Sequence, residues 1–282
     1  MRVRLALGAL LCAACSATPE PSGAPAPATP TAGGATPAKP TTTSGMEVAR
    51  LGPGDLRFQV VRHDSLTLQY PTGVQSQVLD RTAWLRVLLT SGDGLTIVLD
   101  SLRAPAGVPI DSLRPLDGIV WTGTLEHGRI GPLKPSRQAA LAEQLALPLA
   151  TELLPALPAA GAKSGATWRD STRTAQRVVG ADLPMTAITE YLAQDAAGRK
   201  ELEIVGRSTL TAKGTSAQFG QPIEIAASGT RKRTWRLTPA GQVTGAEGSD
   251  SLTMMLDVPS VGQTVPATQI GRFTATRLPA PR

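Results

Sequence analysis

Cysteine is nearly absent. The 282 residues contain two, Cys12 and Cys15, both within the first fifteen positions. The remainder therefore has no disulfide, thiol nucleophile or thiolate metal site, and its stability must come from a packed core. Histidine is equally scarce, with only His63 and His127, far from metal-ligand spacing. His63-Asp64-Ser65 is not a catalytic triad, because neighbouring side chains of a strand point to opposite faces. No Gly-x-Ser-x-Gly marks a nucleophile elbow, and no lysine has a serine three positions before it. Gly161-Ala162-Lys163-Ser164 lacks the glycine that a phosphate loop needs before lysine, and Leu157 stands where its upstream glycine belongs. No acidic loop follows the calcium pattern. Hydrolysis is thus the reading with least support; the expectation is a protein that is not an enzyme, and no cofactor is implied. Nine aromatic residues, no arginine-rich tail and no interleaving of aromatic with basic residues speak against nucleic acid as a partner. No apolar run approaches the roughly 20 residues of a spanning helix.

What is present begins at the N-terminus. Arg2 and Arg4 precede a short apolar run, Leu5 to Leu11, and Ala13-Ala14 precede Cys15. This is the pattern of a secretory signal. It resembles the bacterial lipobox, departing from it at Cys12, where the family prefers leucine. The resemblance implies a signal peptide over 1–14 and lipidation at Cys15. Such an anchor carries two or more acyl chains, enough for stable membrane attachment without a transmembrane helix. An ordinary secretory signal, cut after Ala14 or near Ala17, is the alternative. Ser16 after the cysteine resembles lipoproteins sent to the outer membrane, which implies a cell-envelope location facing the periplasm.

Residues 15–45 are dominated by Pro, Ala, Thr, Gly and Ser, with Glu20 and Lys39 as the charged side chains. Such composition buries too little apolar surface to offset the entropy of ordering, and its Ala-Pro and Thr-Pro pairs favour extended polyproline II. A tether is expected here, with a single β-rich domain over 46–282. The net charge of +6 falls to about +4 without Arg2 and Arg4. That modest basicity suits anionic headgroups or cell-wall polymers.

Two-residue alternation dominates the body. Leu56, Phe58 and Val60 form one apolar set, and Leu66, Leu68 and Tyr70 a second. Ile119 to Leu125, Leu202 with Ile204, and Leu252 to Val258 repeat the pattern. Each reads as a strand with one apolar face, the mark of antiparallel sheet. Turn chemistry at Ser91–Gly94, Glu126–Gly128, Ala196–Gly198 and Pro239–Gly241 joins them into hairpins. Around 136–156 the period changes: Leu141, Leu145 and Leu149 recur every four residues. Ser136 is the expected N-cap and Arg137–Leu147 the expected helix. Pro148 should kink or end it, with a second short helix over Leu149–Leu154. The fold class expected is mainly β, an antiparallel curved sheet or half-barrel with one Pro-kinked helix packed on it.

The lipobox, tether, meander and mid-chain helix, with Pro158 followed by Gly165-Ala166-Thr167-Trp168, resemble uncharacterised β-rich bacterial lipoproteins. More distantly, the plan resembles the half-barrel lipoprotein carriers. That likeness implies an apolar or amphiphilic ligand, lipid-like, held between sheet and helix. The alternative partner is an envelope protein or polymer met by a basic face, as in a structural or assembly factor. Arg169, Arg173 and Arg177 share one face of a strand and are the possible contact residues. Arg231, Lys232, Arg233 and Arg236 form a second basic group, expected on a solvated or partner-facing surface. Trp84, Trp121, Trp168 and Trp235 are expected in the core. The closing Leu278–Arg282 lacks the terminal aromatic strand of outer-membrane barrels, which disfavours that class.

Overall fold

The computed structural model describes residues 45–48, 50–103, 110–126, 128–178, 181–218, 221–259 and 262–279. The chain divides into two units, Met1–Ser44 and Gly45–Arg282, and every described residue lies in the second. Cys15, the tether to Ser44 and His127 lie outside the described residues.

The strands, in chain order, are β1 (Glu47–Val48), β2 (Gly54–Tyr70), β3 (Gly73–Leu89), β4 (Gly94–Arg103), β5 (Ile119–Glu126), β6 (Arg129–Ile130) and β7 (Lys134–Pro135). Next come β8 (Ala162–Lys163), β9 (Thr167–Val178), β10 (Ala181–Asp195), β11 (Leu202–Gln218), β12 (Gln221–Leu237), β13 (Val243–Val258) and β14 (Gln263–Leu278). β1 and β8 pair as a ribbon. One curved antiparallel sheet, not closed into a barrel, carries the rest in the order β6-β5-β4-β3-β2-β14-β13-β12-β11-β10-β9, with β7 also on β5. Two consecutive meanders thus meet where the last strand, β14, pairs with β2. The expected fold class holds.

The strands are longer than the alternation suggested. Leu56–Val60 and Leu66–Tyr70 are two ends of the single strand β2, continuous through Val61-Arg62-His63-Asp64. The polar middle conceals that continuity, because Arg62 and Asp64 occupy inward positions where apolar residues were sought. Pairing of Arg129–Leu133 is confined to β6.

The helical segment is shorter than expected. α1 (Ile110–Leu113) precedes β5, while α2 (Ala140–Leu145) and α3 (Leu147–Thr151) follow β7. Ser136 does not cap a helix. Its N–H donates to Val120 O at 2.7 Å, and its Oγ accepts from Val120 N–H at 3.2 Å, which extends the β5–β7 pairing. α2 starts from Ala139 without a side-chain cap. Pro148 sits in the first turn of α3, where its missing N–H leaves no bond unmade, so it begins the second helix rather than ending the first.

The inner face of the sheet carries two apolar clusters. The first holds Phe58, Leu85, Ile97, Ile119, Trp121 and Ile204, and is filled by Ala142, Ala146, Leu149 and Leu153 of the helical segment. Leu149, Leu153 and Trp121 are 0% exposed. The space between helix and sheet is therefore a packed core. The second cluster, at the other end of the strands, is built from strand residues alone, among them Leu183, Met185, Leu210, Leu252 and Met254.

Candidate functional site

The two clusters are separated by polar residues placed by strand register. Cross-strand pairing sets Thr189, Ser208, Arg231, Asp250, Gly271 and Asp64 side by side across β10, β11, β12, β13, β14 and β2. Two residues along lies the row Trp168, Tyr191, Gly206, Arg233, Gly248, Phe273, Arg62 and Arg81, across β9 to β3. Glycines alternate with the long side chains and make room for them. A Cβ on Gly271 would lie 2.7 Å from Arg62 Nη2 and from Asp64 Oδ1, and 2.9 Å from Asp250 Oδ2.

Within this belt the charges are paired. Arg62 donates through Nε to Asp64 at 3.0 Å and through Nη2 to Asp250 at 2.5 Å. Arg81 Nη2 reaches Asp64 at 2.6 Å, and Arg231 Nε reaches Asp250 at 2.7 Å. Glu152, at the end of α3, accepts from Arg62 Nη1 at 3.1 Å and from Arg233 Nη2 at 2.8 Å. Its carbonyl accepts from Trp235 Nε1 at 2.9 Å. Arg233 also lies over the Phe273 ring, 5.3 Å from its centroid. Desolvation pushes the Asp250 carboxyl up, but the guanidinium groups of Arg231, Arg233 and Arg62 outweigh it and hold the group well below the usual carboxylate range. Burial likewise works against the Arg62 cation, and Glu152, Asp250 and Asp64 more than compensate. The belt latches the helical segment at one place on the sheet.

Arg231 and Arg233 were expected on a basic surface. They correct that expectation: both point inward, and Arg233 is 3% exposed. Lys232, between them, faces outward. Arg169 and Arg173 are exposed on the outer face of β9, and the side chain of Arg177 lies outside the described ones. Trp121 and Trp235 are buried and Trp168 packs against the first cluster, as expected. Trp84 instead is half-buried on the outer face, with Arg103 6.0 Å from its ring centroid. His63 is exposed and bonded to Asp80, while its neighbour Asp64 is buried on the opposite face.

The other feature is the seam where the two ends of the sheet, β6 and β9, meet without backbone pairing. Arg129 of β6 forms an ion pair with Asp170 of β9, which also accepts from the Ser171 N–H at 2.6 Å. A cavity of about 500 Å³ opens there, lined by Ile130, Ala156, Leu157, Pro158, Trp168 and Asp170, with Glu126, Arg129 and Arg169 around it. Trp168 stacks on Tyr191 at 5.1 Å and 7°, and donates through Nε1 to Ala156 O at 3.2 Å. Burial, reinforced by the Asp170 charge, pushes the Tyr191 phenol up to about 12. Gly128, at φ +75°, lets Leu157 close in; a Cβ there would lie 2.5 Å from Leu157 N. Asp170 is 7% exposed, and its Oδ2 has no hydrogen-bond partner among the described residues.

The fold has a counterpart. A solved structure described as "lipid-protein interactions in lipovitellin" superposes with a TM-score of 0.54 at 12% identity, over 83% of this chain. The chain spans 26% of the length of that protein. The likeness is one of fold alone. An outer membrane lipoprotein-sorting protein domain from Vibrio parahaemolyticus covers 80% of this chain and 87% of its own at 10% identity, but with a TM-score of 0.17 that bears no weight. No family model matches the chain, and no curated protein matches it.

Among the described residues no helix is long and apolar enough to cross a membrane. Nor do three or more His, Cys, Asp or Glu side chains gather among them as a metal site. The seam residues were not legible as a site, because Arg129 and Asp170 are 41 positions apart. One signal was available: an acid at an inward position of a strand, next to a tryptophan two residues away.

Proposed function

We propose that this chain is a non-enzymatic lipoprotein of the cell envelope, anchored in the outer membrane through Cys15 and facing the periplasm, that binds an amphiphile at the seam. The observation that carries the reading is the cavity of about 500 Å³ at the unpaired sheet edges, lined by Trp168, Leu157 and the Asp170 carboxylate. A mostly apolar pocket with a few polar groups is the usual form of a small-molecule site. Trp168, held by its stack on Tyr191, and Leu157 supply the apolar wall. A head group bearing N–H or O–H would sit against the Asp170 carboxylate and Glu126 in the cavity lining, with Arg129 fixing Asp170 by its ion pair. The space between helix and sheet is ruled out as the ligand chamber because side chains fill it. Likeness to lipovitellin, whose structure concerns lipid–protein interactions, agrees with a sheet of this kind holding lipid.

Native mass spectrometry of the delipidated protein after exposure to a bacterial lipid extract tests this. One amphiphile per chain is expected. Trp168→Ala should weaken uptake about tenfold, equivalent to about 1.4 kcal/mol. Asp170→Asn should weaken it for amine and hydroxyl heads while leaving the fold intact by circular dichroism. No uptake by the unaltered protein would refute the reading. The anchor is tested separately: Cys15→Ser should move the protein from sedimented envelopes to the soluble fraction.

A further inference from the structure

The outer face of the sheet carries a row of charges in register. Pairing places Arg169, Glu190, Arg207, Lys232, Ser249 and Arg272 side by side on β9 to β14. All six are exposed. At about 4.8 Å per strand the row spans roughly 24 Å. Arg207 and Lys232 stand directly opposite each other, an arrangement of like charges that disfavours the sheet. On the inner face every belt arginine meets a carboxylate; on the outer face Arg169, Arg207, Lys232 and Arg272 have no ion-pair partner among the described residues. The row lies in two shallow depressions of about 710 and 700 Å³ that share Arg169, Glu190, Arg207 and Lys232.

The same face holds the exposed large aliphatics. Val61, Val74, Val78, Leu192, Met255 and Ile270 all sit at outward positions, and Ile270 is 49% exposed beside the row. Cations flanked by exposed aliphatic side chains match a surface with anionic headgroups above and acyl chains beneath. We propose that this outer face docks on a membrane of anionic phospholipid, with Arg169, Arg207, Lys232 and Arg272 on the phosphates and Ile270 and Leu192 at the acyl boundary. The row adjoins the seam cavity at Arg169, whereas Arg207, Lys232, Arg272 and Ile270 do not line that cavity, so variants at those four separate docking from amphiphile binding.

The full chain carrying Cys15→Ser, which excludes acyl anchoring, is sedimented with vesicles of phosphatidylcholine with and without phosphatidylglycerol. Partition should rise with phosphatidylglycerol and fall with added salt. Arg207→Ala and Lys232→Ala should each lower it about fivefold. Ile270→Ser with Leu192→Ser should lower it further, and Arg199→Ala, in the turn between β10 and β11, should leave it unchanged. All the substituted side chains are exposed, and circular dichroism checks the fold. Equal partition into both vesicle types, or no loss in the Arg207→Ala/Lys232→Ala double variant, would overturn the proposal. So would row-dependent binding to inorganic polyphosphate without binding to vesicles.

Discussion

Asp250 touches the guanidinium groups of Arg62, Arg231 and Arg233 while only 5% exposed. Its lowered folded-state pKa makes it a stabilising group above the ordinary carboxylate value of about 4, and that stability is lost as pH falls below it. Urea midpoints measured down to about pH 2 should therefore drop steeply, and Asp250→Asn should flatten that acid limb. The Tyr191 phenol behaves with the opposite sense. Raised to about 12, it contributes stability below about pH 10 that disappears as pH climbs toward 12. Tyr191→Phe should remove that alkaline loss. Gly271→Ala should cost about 2 kcal/mol or more, because its methyl group meets charged atoms that cannot retreat. None of this was legible as a network beforehand. Arg62 and Asp64 interrupt an apolar alternation, and Arg231-Lys232-Arg233 reads as a solvated run, until pairing shows which of them face inward opposite carboxylates.

α2 and α3 have six and five residues, too few to hold helical structure alone. Packing and the Glu152 contacts keep them in place. Leu149→Ala, at a fully buried site, should destabilise by about 3 kcal/mol in chemical unfolding. Glu152→Ala leaves two arginines short of a partner and should cost about 2 kcal/mol; Glu152→Gln should recover part of that. The helical period of Leu141, Leu145 and Leu149 correctly located this segment. Its limits were hidden because Ser136 has the residue type of a cap yet is captured by β5. Proline is as compatible with a first turn as with a kink. Hairpins were more legible, since Gly128, Gly198 and Gly241 adopt the positive φ that their turns require.

Across the whole sheet, order should fall from centre to rim. β4 pairs β3 only from Thr82 to Leu89, so among the described residues 73–81 have β2 on one side and no strand on the other. Amide exchange should be fastest there among the long strands and slowest in β12, β13, β14 and β2. The alternation made the sheet legible, but strand order was not: no local pattern states that β14 lies beside β2.

That adjacency governs how the molecule can be made. The segment Gln263–Leu278 is synthesised after the other described strands of this sheet, yet it is the keystone between the two meanders. Until it emerges, β2 and β13 each present a bare hydrogen-bonding edge, the kind that recruits foreign strands. A chaperone that shields those edges, or a chain delivered whole before it folds, would be needed for good yield. Removing the final sixteen-residue strand should split the assembly down its middle and leave two sticky halves.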